Sequence, residues 1–438
     1  MDSSSEIAIR NKFDDEWEFR KICDEYSDFS TGRSVLHHAV GIGHFDVCKF
    51  LINTVRVDID VLTYKSSLSL CSLASSLDIY AILIKTGDTP LTEAAKRGHV
   101  KIVEFLVKHG AEISLPNIEG FTALHYAALN NNKELVELLR IKGAHIETDS
   151  VDGTPLQVAA SRGNAEADKS LLSHGANLAF YCAVSDTPLV CAVKSRSFEC
   201  LNVLLEAGAN PNLYYTGLSP LSSAAKEGDT KFLKRLLEAK ADPNSFQADI
   251  FQPIEDAAMV RNRAAVEILF PVTKRLVHHP KWTVDGIIEH SHSEEFKTMM
   301  KKKMINILEA LELGGKQDVI NKEYNHSIVK YRMATRLDLS NATWVLKQSV
   351  CEARMGLRTY ALFDAQKCIR LKPNFAFPHH EGEIANEIAK KFLMACLAFS
   401  LDPYSMETSR AFRGSLFDYF VWLSQMSSMD DILNCILS

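Results

Sequence analysis

"TGDTPLTEAAKRGHVKIVEFLVKHGAEI", residues 86–113, holds a turn signal, two short apolar-periodic segments and a closing Gly-Ala. Thr89 is placed to cap a helix that begins at Pro90, where a missing N–H costs nothing. Leu91, Ala94 and Ala95 then share one helical face. Gly98 breaks that helix, because glycine tolerates a left-handed turn. Val103, Leu106 and Val107 mark a second helix, which Gly110 stops. The spacing predicts a helix–turn–helix with one apolar face and too little mass to bury that face alone.

Copies of the pattern recur along the chain. "GFTALHYAALNNN" starts at Gly120, "DGTPLQVAASRGN" at Asp152, "SDTPLVCAVKSRS" at Ser185, "GLSPLSSAAKEGD" at Gly217 and "FQPIEDAAMVRNR" at Phe251; "GRSVLHHAVGIGH" at Gly32 precedes them. The position after the leucine-type residue falls at His37, Thr92, His125, Gln157, Val190, Ser222 and Glu255, the last six spaced by 32 or 33 residues. Six residues beyond each lies Gly43, Gly98, Asn131, Gly163, Arg196, Gly228 or Arg261. Five of these seven are residue types that accept a left-handed backbone. Gly110, Gly143, Gly175 and Gly208, each followed by alanine, keep the same register.

This pattern resembles the ankyrin repeat, with its period of about 33 residues and its T-P-L-H marker. The resemblance covers roughly residues 31–275. It implies an all-α fold, an α-solenoid with short β-hairpin fingers in which each unit adds two antiparallel helices. The first unit has Val35 in place of the proline and the seventh lacks the glycines, as expected of terminal repeats that must meet water.

Composition agrees. The chain has 438 residues, 46% of them hydrophobic, and a net charge of −6. Residues 281–438 carry 20 basic and 19 acidic side chains, which leaves about −7 on the repeat half. Such a balance carries no nucleic-acid signature. The ten cysteines are scattered with no CxxC pair, which favours a reduced intracellular compartment. A cytoplasmic place is expected, with the nucleus as the alternative. The opening "MDSSSEIAIRNKFDDEWEFR" is polar and acidic, unlike a secretory signal. No run approaches the ~20 apolar residues of a membrane span.

One interval breaks the period. His37 to Thr92 is 55 residues, 22 more than one repeat. The surplus lies in or near "VLTYKSSLSLCSLASSLDIYAILIK", residues 61–85, which is Ser/Leu-rich and carries no repeat marks. Long insertions of this kind are uncommon. The readings are an inserted binding loop, a gene-model or splicing artefact, and a short packed helix from Ser72 to Ile84.

Beyond the array, "FPVTKRLVHHPKWTVDGIIEHSHSEE" spans residues 270–295. Its His278, His279, His290 and His292 invite a metal reading, but no cysteine lies nearby, so a solvated linker is expected and no metal site. The stretch resembles the segment that follows the repeats in plant proteins joining an ankyrin array to tetratricopeptide repeats. Degenerate hairpins of that second kind follow at a period of 34: Ser327 with Ala361, Ala334 with Cys368 and Leu337 with Leu371; Pro373 closes one unit, and a third, short copy ends at Pro403, 30 residues later. The expected organisation is therefore an N-terminal helical cap over 1–30, the array over 31–275, a linker over 276–300, and a tetratricopeptide-like helical domain over 301–438. That domain closes on a capping helix containing Phe417, Phe420 and Trp422.

No phosphate loop, HExxH, GxSxG or kinase set is present. Neither catalytic residues nor a cofactor are expected. His37 and His125 are expected to hydrogen-bond neighbouring backbone or threonine groups, and Cys191 and Cys200 to pack. Partner choice in a solenoid lives in exposed positions. The finger tips place Phe180, Tyr181, Tyr214, Tyr215 and Phe246 on three successive units, and such aromatics are strong interface anchors or finger-stacking groups. Tyr126, Leu129, Arg162, Lys194 and Lys226 lie beside them on the inner helices. The expected function is a non-enzymatic scaffold or adaptor for other proteins. The alternative is a co-chaperone or client-targeting factor. Clamp-type tetratricopeptide domains grip acidic chaperone tails through lysine, asparagine and arginine side chains. The matching positions here are Glu312, Lys316, Lys347, Phe377 and Glu381, so binding of such tails is not expected.

Overall fold

In a computed structural model the described residues are 33–65, 84–85, 87–117, 119–180, 186–214, 219–245 and 251–355, with 357, 360–361, 363–364, 367 and 371. Chain contacts divide it into two units, Met1–Asn177 and Leu178–Ser438. The N-terminal cap over 1–30, Tyr181, Tyr215, Phe246, Phe377, Glu381 and the C-terminal capping helix lie outside the described residues.

The first unit contains four helix pairs: α1 (Val35–Ile42) with α2 (Phe45–Phe50), α3 (Pro90–Arg97) with α4 (Val100–Lys108), α5 (Ala123–Leu129) with α6 (Lys133–Ile141), and α7 (Pro155–Arg162) with α8 (Ala165–Ser173). The second unit contains three more: α9 (Pro188–Lys194) with α10 (Phe198–Glu206), α11 (Pro220–Glu227) with α12 (Thr230–Glu238), and α13 (Pro253–Met259) with α14 (Arg263–Leu269). Within each unit successive first helices pack on one another, α1 on α3, α3 on α5 and α5 on α7, then α9 on α11 and α11 on α13. Six of the seven second helices bury one leucine at the same place: Leu106, Leu139, Leu171, Leu204, Leu236 and Leu269 are fully buried. Burial of each contributes roughly 1.5–3 kcal/mol of transfer free energy.

In five of the seven repeats, all but those with Val190 and Ser222, the residue after the marker leucine is a capping residue. Thr89 caps α3 and Thr92, three residues on, reaches back to the Thr89 N–H at 2.7 Å. Gln157 does the same for Thr154 at 2.7 Å and Glu255 for Gln252 at 2.9 Å. Such reciprocal bonds satisfy two of the orphan donors at a helix start. This explains why polar types of different chemistry fill one slot.

All seven turn positions after the first helices are left-handed. Gly43, Gly98, Gly163 and Gly228 are joined by Asn131 (φ 53°), Arg196 (φ 56°) and Arg261 (φ 56°). The two arginines hold a backbone that their residue type disfavours, because packing of both helices over-determines the turn.

The surplus of residues 61–85 leaves from a closed stem. β1 (Tyr64–Lys65) pairs antiparallel with β2 (Ile84–Lys85), and the Thr63 N–H donates to the Asp88 carbonyl at 3.0 Å. Ile84 is therefore a strand residue and not the end of a helix; residues 66–83 lie outside the described ones. The other described fingers are turns, stitched by side chains onto the next backbone. The Asn177 N–H donates to Glu147 at 2.6 Å in the first unit, and the Asp242 and Lys274 N–H groups to Asn212 and Asn244, each at 2.7 Å, in the second.

The segment after the seventh pair corrects the expectation of a solvated linker. His279 is fully buried, its ring 5.7 Å from that of Phe296, while Trp282 stacks on Phe270 at 5.7 Å. α15 (Val284–Ser291) packs on α13 and α14. His279, counted as polar in sequence, is here enclosed by aromatic rings, while His278 keeps one side to solvent.

Next come α16 (Glu294–Ile320), α17 (Tyr324–Leu337) and α18 (Ala342–Arg354), each packed on its predecessor. Gly315 lets α16 and α17 approach: a Cβ there would lie 2.7 Å from the Tyr331 ring. Ser327 and Ala361 are both fully buried; Ser327 Oγ donates to the Gly315 carbonyl at 2.9 Å, and Ser349 Oγ to that of Ala361 at 2.9 Å.

Candidate partner-binding face

The first helices are buried along most of their length, so their exposed surface concentrates in the last turn. In the first unit that row is Lys96 and Arg97, then half-buried Leu129 with exposed Asn130, then Ser161 and Arg162. In the second unit it is Lys194, then Lys226 and Glu227, then Met259 and Val260. Basic residues recur here because the C-terminal end of a helix carries partial negative charge, which a cation offsets. The result, in each unit, is a set of basic last turns on a chain whose net charge is negative.

Several of these cations already have partners. Arg97 reaches Glu93 at 3.1 Å, and Arg33 pairs with the same buried carboxylate. Burial by itself would raise Glu93; the two guanidiniums outweigh it and hold the group below its ordinary range. Lys96 lies over the Tyr126 ring, 5.5 Å from its centroid. Lys194 donates to Asp186 at 2.6 Å, and Arg336 of α17 takes the other Asp186 oxygen at 2.7 Å. Asp186 is pushed up by burial but drawn down to about 2 by these cations.

The candidates read from sequence separate accordingly. Tyr126 is only 6% exposed, and its hydroxyl accepts from Asn117 at 3.1 Å, so its ring belongs to the core. Leu129 is half-buried and Arg162 exposed. Lys194 faces the α17 contact through Asp186, and Lys226 is exposed. Phe180 is half-buried and Tyr214 exposed.

Sequence reasoning missed the asparagines that fasten one repeat to the one before it. Asn130 donates to the Lys96 carbonyl at 2.8 Å, Asn164 to that of Leu129 at 2.8 Å, and Asn262 to that of Gly228 at 2.8 Å. Their positions at the turn between paired helices were the available signal.

His125 and His37 behave as the sequence suggested. The Thr122 N–H donates to His125 Nδ1 at 3.1 Å, and His125 Nε2 lies 3.1 Å from the Gly153 carbonyl. His37 spans Ser34 Oγ at 2.8 Å and the Asp88 carbonyl at 2.9 Å. Burial lowers both imidazoles, His125 to about 4.

Capped helix pairs with left-handed turns, repeated in register, define a helical repeat protein. The repeat is the ankyrin repeat. The family "Ankyrin repeats (3 copies)" matches residues 68–150 and 145–215, and "Ankyrin repeat" matches residues 31–61 and 216–246. The seventh pair, Pro253–Leu269, continues the geometry beyond the matched residues. A crystal structure of the human ASB11 ankyrin repeat domain is similar at 23% identity, covering 56% of this chain and 100% of that one, with a TM-score of 0.46. Among the described residues no helix is long and apolar enough to cross a membrane.

Proposed function

We propose that the protein is a non-enzymatic scaffold that holds a partner protein, through acidic side chains of that partner, on the last-turn row of its first helices. The observation that carries this reading is the exposed basic last turn within each unit, Arg162 in the first and Lys226 in the second. Cations on rigid helix ends give specificity and association rate at little ordering cost. Leu129 and Tyr214 add apolar contact beside them. The working division of the chain is an array over 31–275 and a tetratricopeptide-like domain over 301–438, acting in the cytoplasm or the nucleus.

Lys347 supports the expectation that chaperone tails are not ligands of the second domain. It is only 1% exposed and donates to Glu312 at 2.7 Å, so its charge is neutralised inside the protein. A terminal carboxylate needs exposed cations in fixed places.

The test compares affinity capture by the full chain with Arg162→Glu and Lys226→Glu, alongside Lys101→Glu and Lys234→Glu on the second helices. Loss of the same co-purifying proteins in the first two variants only is expected. Equal retention in all four would remove the row from the binding surface.

A further inference from the structure

Glu255 stands at the third position of α13 and is fully buried. Its Oε2 accepts the Gln252 N–H at 2.9 Å and completes the cap. Its Oε1 is not needed for that task and faces two imidazoles instead. His278 Nε2 lies 2.6 Å away and His279 Nε2 3.2 Å away. The three ligand atoms all lie within 4.8 Å of one another. Thr92, His125 and Gln157 fill the same slot in other repeats without a carboxylate. A buried charge is costly unless something with opposite charge meets it.

The surroundings favour an ion over a bare hydrogen-bonded pin. His279 Nδ1 and His290 Nε2 are buried polar atoms with no hydrogen-bond partner, and the two rings are 4.9 Å apart. Phe296 lies 5.7 Å from the His279 ring and 5.5 Å from that of His290, and Trp282 6.1 Å from His279. Two imidazoles and one carboxylate inside an aromatic shell form a borderline-soft set of three ligands, with the fourth place left to water. Bonds of roughly 2.0–2.2 Å around a tetrahedral ion hold its ligands about 3.3 Å apart. The Glu255–His279 separation already matches. The Glu255–His278 one must open by about 0.7 Å and the two imidazole nitrogens, 4.8 Å apart, must close by about 1.5 Å on that geometry; His278, whose side chain is 30% exposed, has solvent on one side to make both moves.

We propose that Glu255, His278 and His279 bind one divalent transition-metal ion, with zinc the best fit, and that the ion clasps the segment after the seventh repeat onto the last helix pair. With both ligating imidazoles neutral and Glu255 ionised, the site carries one positive charge when filled. His290 lies beside His279, the two rings 4.9 Å apart. An ion that binds only the folded array stabilises it by mass action.

The experiment titrates zinc into the metal-stripped full chain against a chromophoric chelator, and repeats it with Glu255→Gln and His278→Gln. Glu255→Gln retains the cap, as Gln157 does in its own repeat. Cysteines elsewhere in the chain can bind zinc, so the variants decide. One equivalent of zinc is expected to be lost or weakened at least tenfold in each variant, with cobalt giving four-coordinate visible absorption in the wild type alone. Zinc should also raise the melting midpoint of the wild type and not of His278→Gln. Unchanged stoichiometry and affinity in His278→Gln, or no saturable zinc in the wild type, would overturn the site and leave Glu255 as a hydrogen-bonded pin.

Discussion

His125 Nε2 donates to the carbonyl oxygen of Gly153, 3.1 Å away and 28 residues along the chain, while Nδ1 of the same ring accepts the Thr122 N–H. Because a backbone N–H occupies Nδ1, the ring proton must sit on Nε2. One neutral imidazole thus caps its own helix and ties it to the next finger.

That arrangement makes stability pH-dependent. Burial holds folded His125 at about 4, below the ordinary value of 6.5. A depressed imidazole is neutral when folded, so its contribution is complete above about pH 6.5 and is lost as pH falls toward 4. The loss amounts to as much as about 3 kcal/mol. Urea melts at pH 7 and pH 4.5 should show His125→Gln losing less stability than wild type over this interval. Parallel losses would show that the ring does not titrate with unfolding.

Arg261 holds a left-handed backbone at φ 56°, where glycine stands in four other repeats. A left-handed L-residue costs roughly 1–2 kcal/mol, partly offset by the entropy glycine loses on folding. Arg261→Gly should therefore raise stability by about 0.5–1 kcal/mol. Gly163→Val, at φ 74°, should lower it by roughly 2 kcal/mol. Denaturant midpoints check both signs; a shift of Gly163→Val toward higher stability would contradict the turn geometry.

Asp168 occupies a fully buried position that holds Val103, Val136, Leu201, Leu233 or Val266 in other repeats, all fully buried. A carboxylate there is costly to desolvate. The polar interactions of its native setting reduce the gain from replacing it. Asp168→Val should stabilise the fourth repeat by about 1–3 kcal/mol, read as a higher melting midpoint. A lower midpoint would mean that the carboxylate organises its neighbours.

The stem of β1 and β2 closes before residues 66–83 begin. Replacing them with a two-residue Asn-Gly turn keeps the antiparallel register that the ladder requires. Melting should be unchanged or raised, since a shorter loop has less closure entropy to lose. A drop of more than about 1 kcal/mol, well beyond that entropic term, would make the segment integral to the array.

The period, the caps and the helix pairs were legible in the residues because they are local. A Thr-Pro start, a leucine face and a glycine stop act within one turn of chain. Arg196 and Arg261 were not legible as left-handed, because arginine has no such preference of its own; packing of the flanking helices imposes it. The exposed last-turn residues could be named, but whether a named residue is free could not. Lys194 looked like an open cation until Arg336, 150 residues away from Asp186, joined it on the same carboxylate.

By itself the sequence determined that the chain builds a repeating array of helix pairs, since periodicity and capping need only neighbours in the chain. Only the tertiary structure decided what becomes of a polar residue once the repeats pack. Tyr126 is drawn into the core, and His279 is enclosed by Phe296 and Trp282 against the Glu255 carboxylate. Burial and charge pairing depend on residues distant in sequence, and that information exists only where the chain folds back on itself.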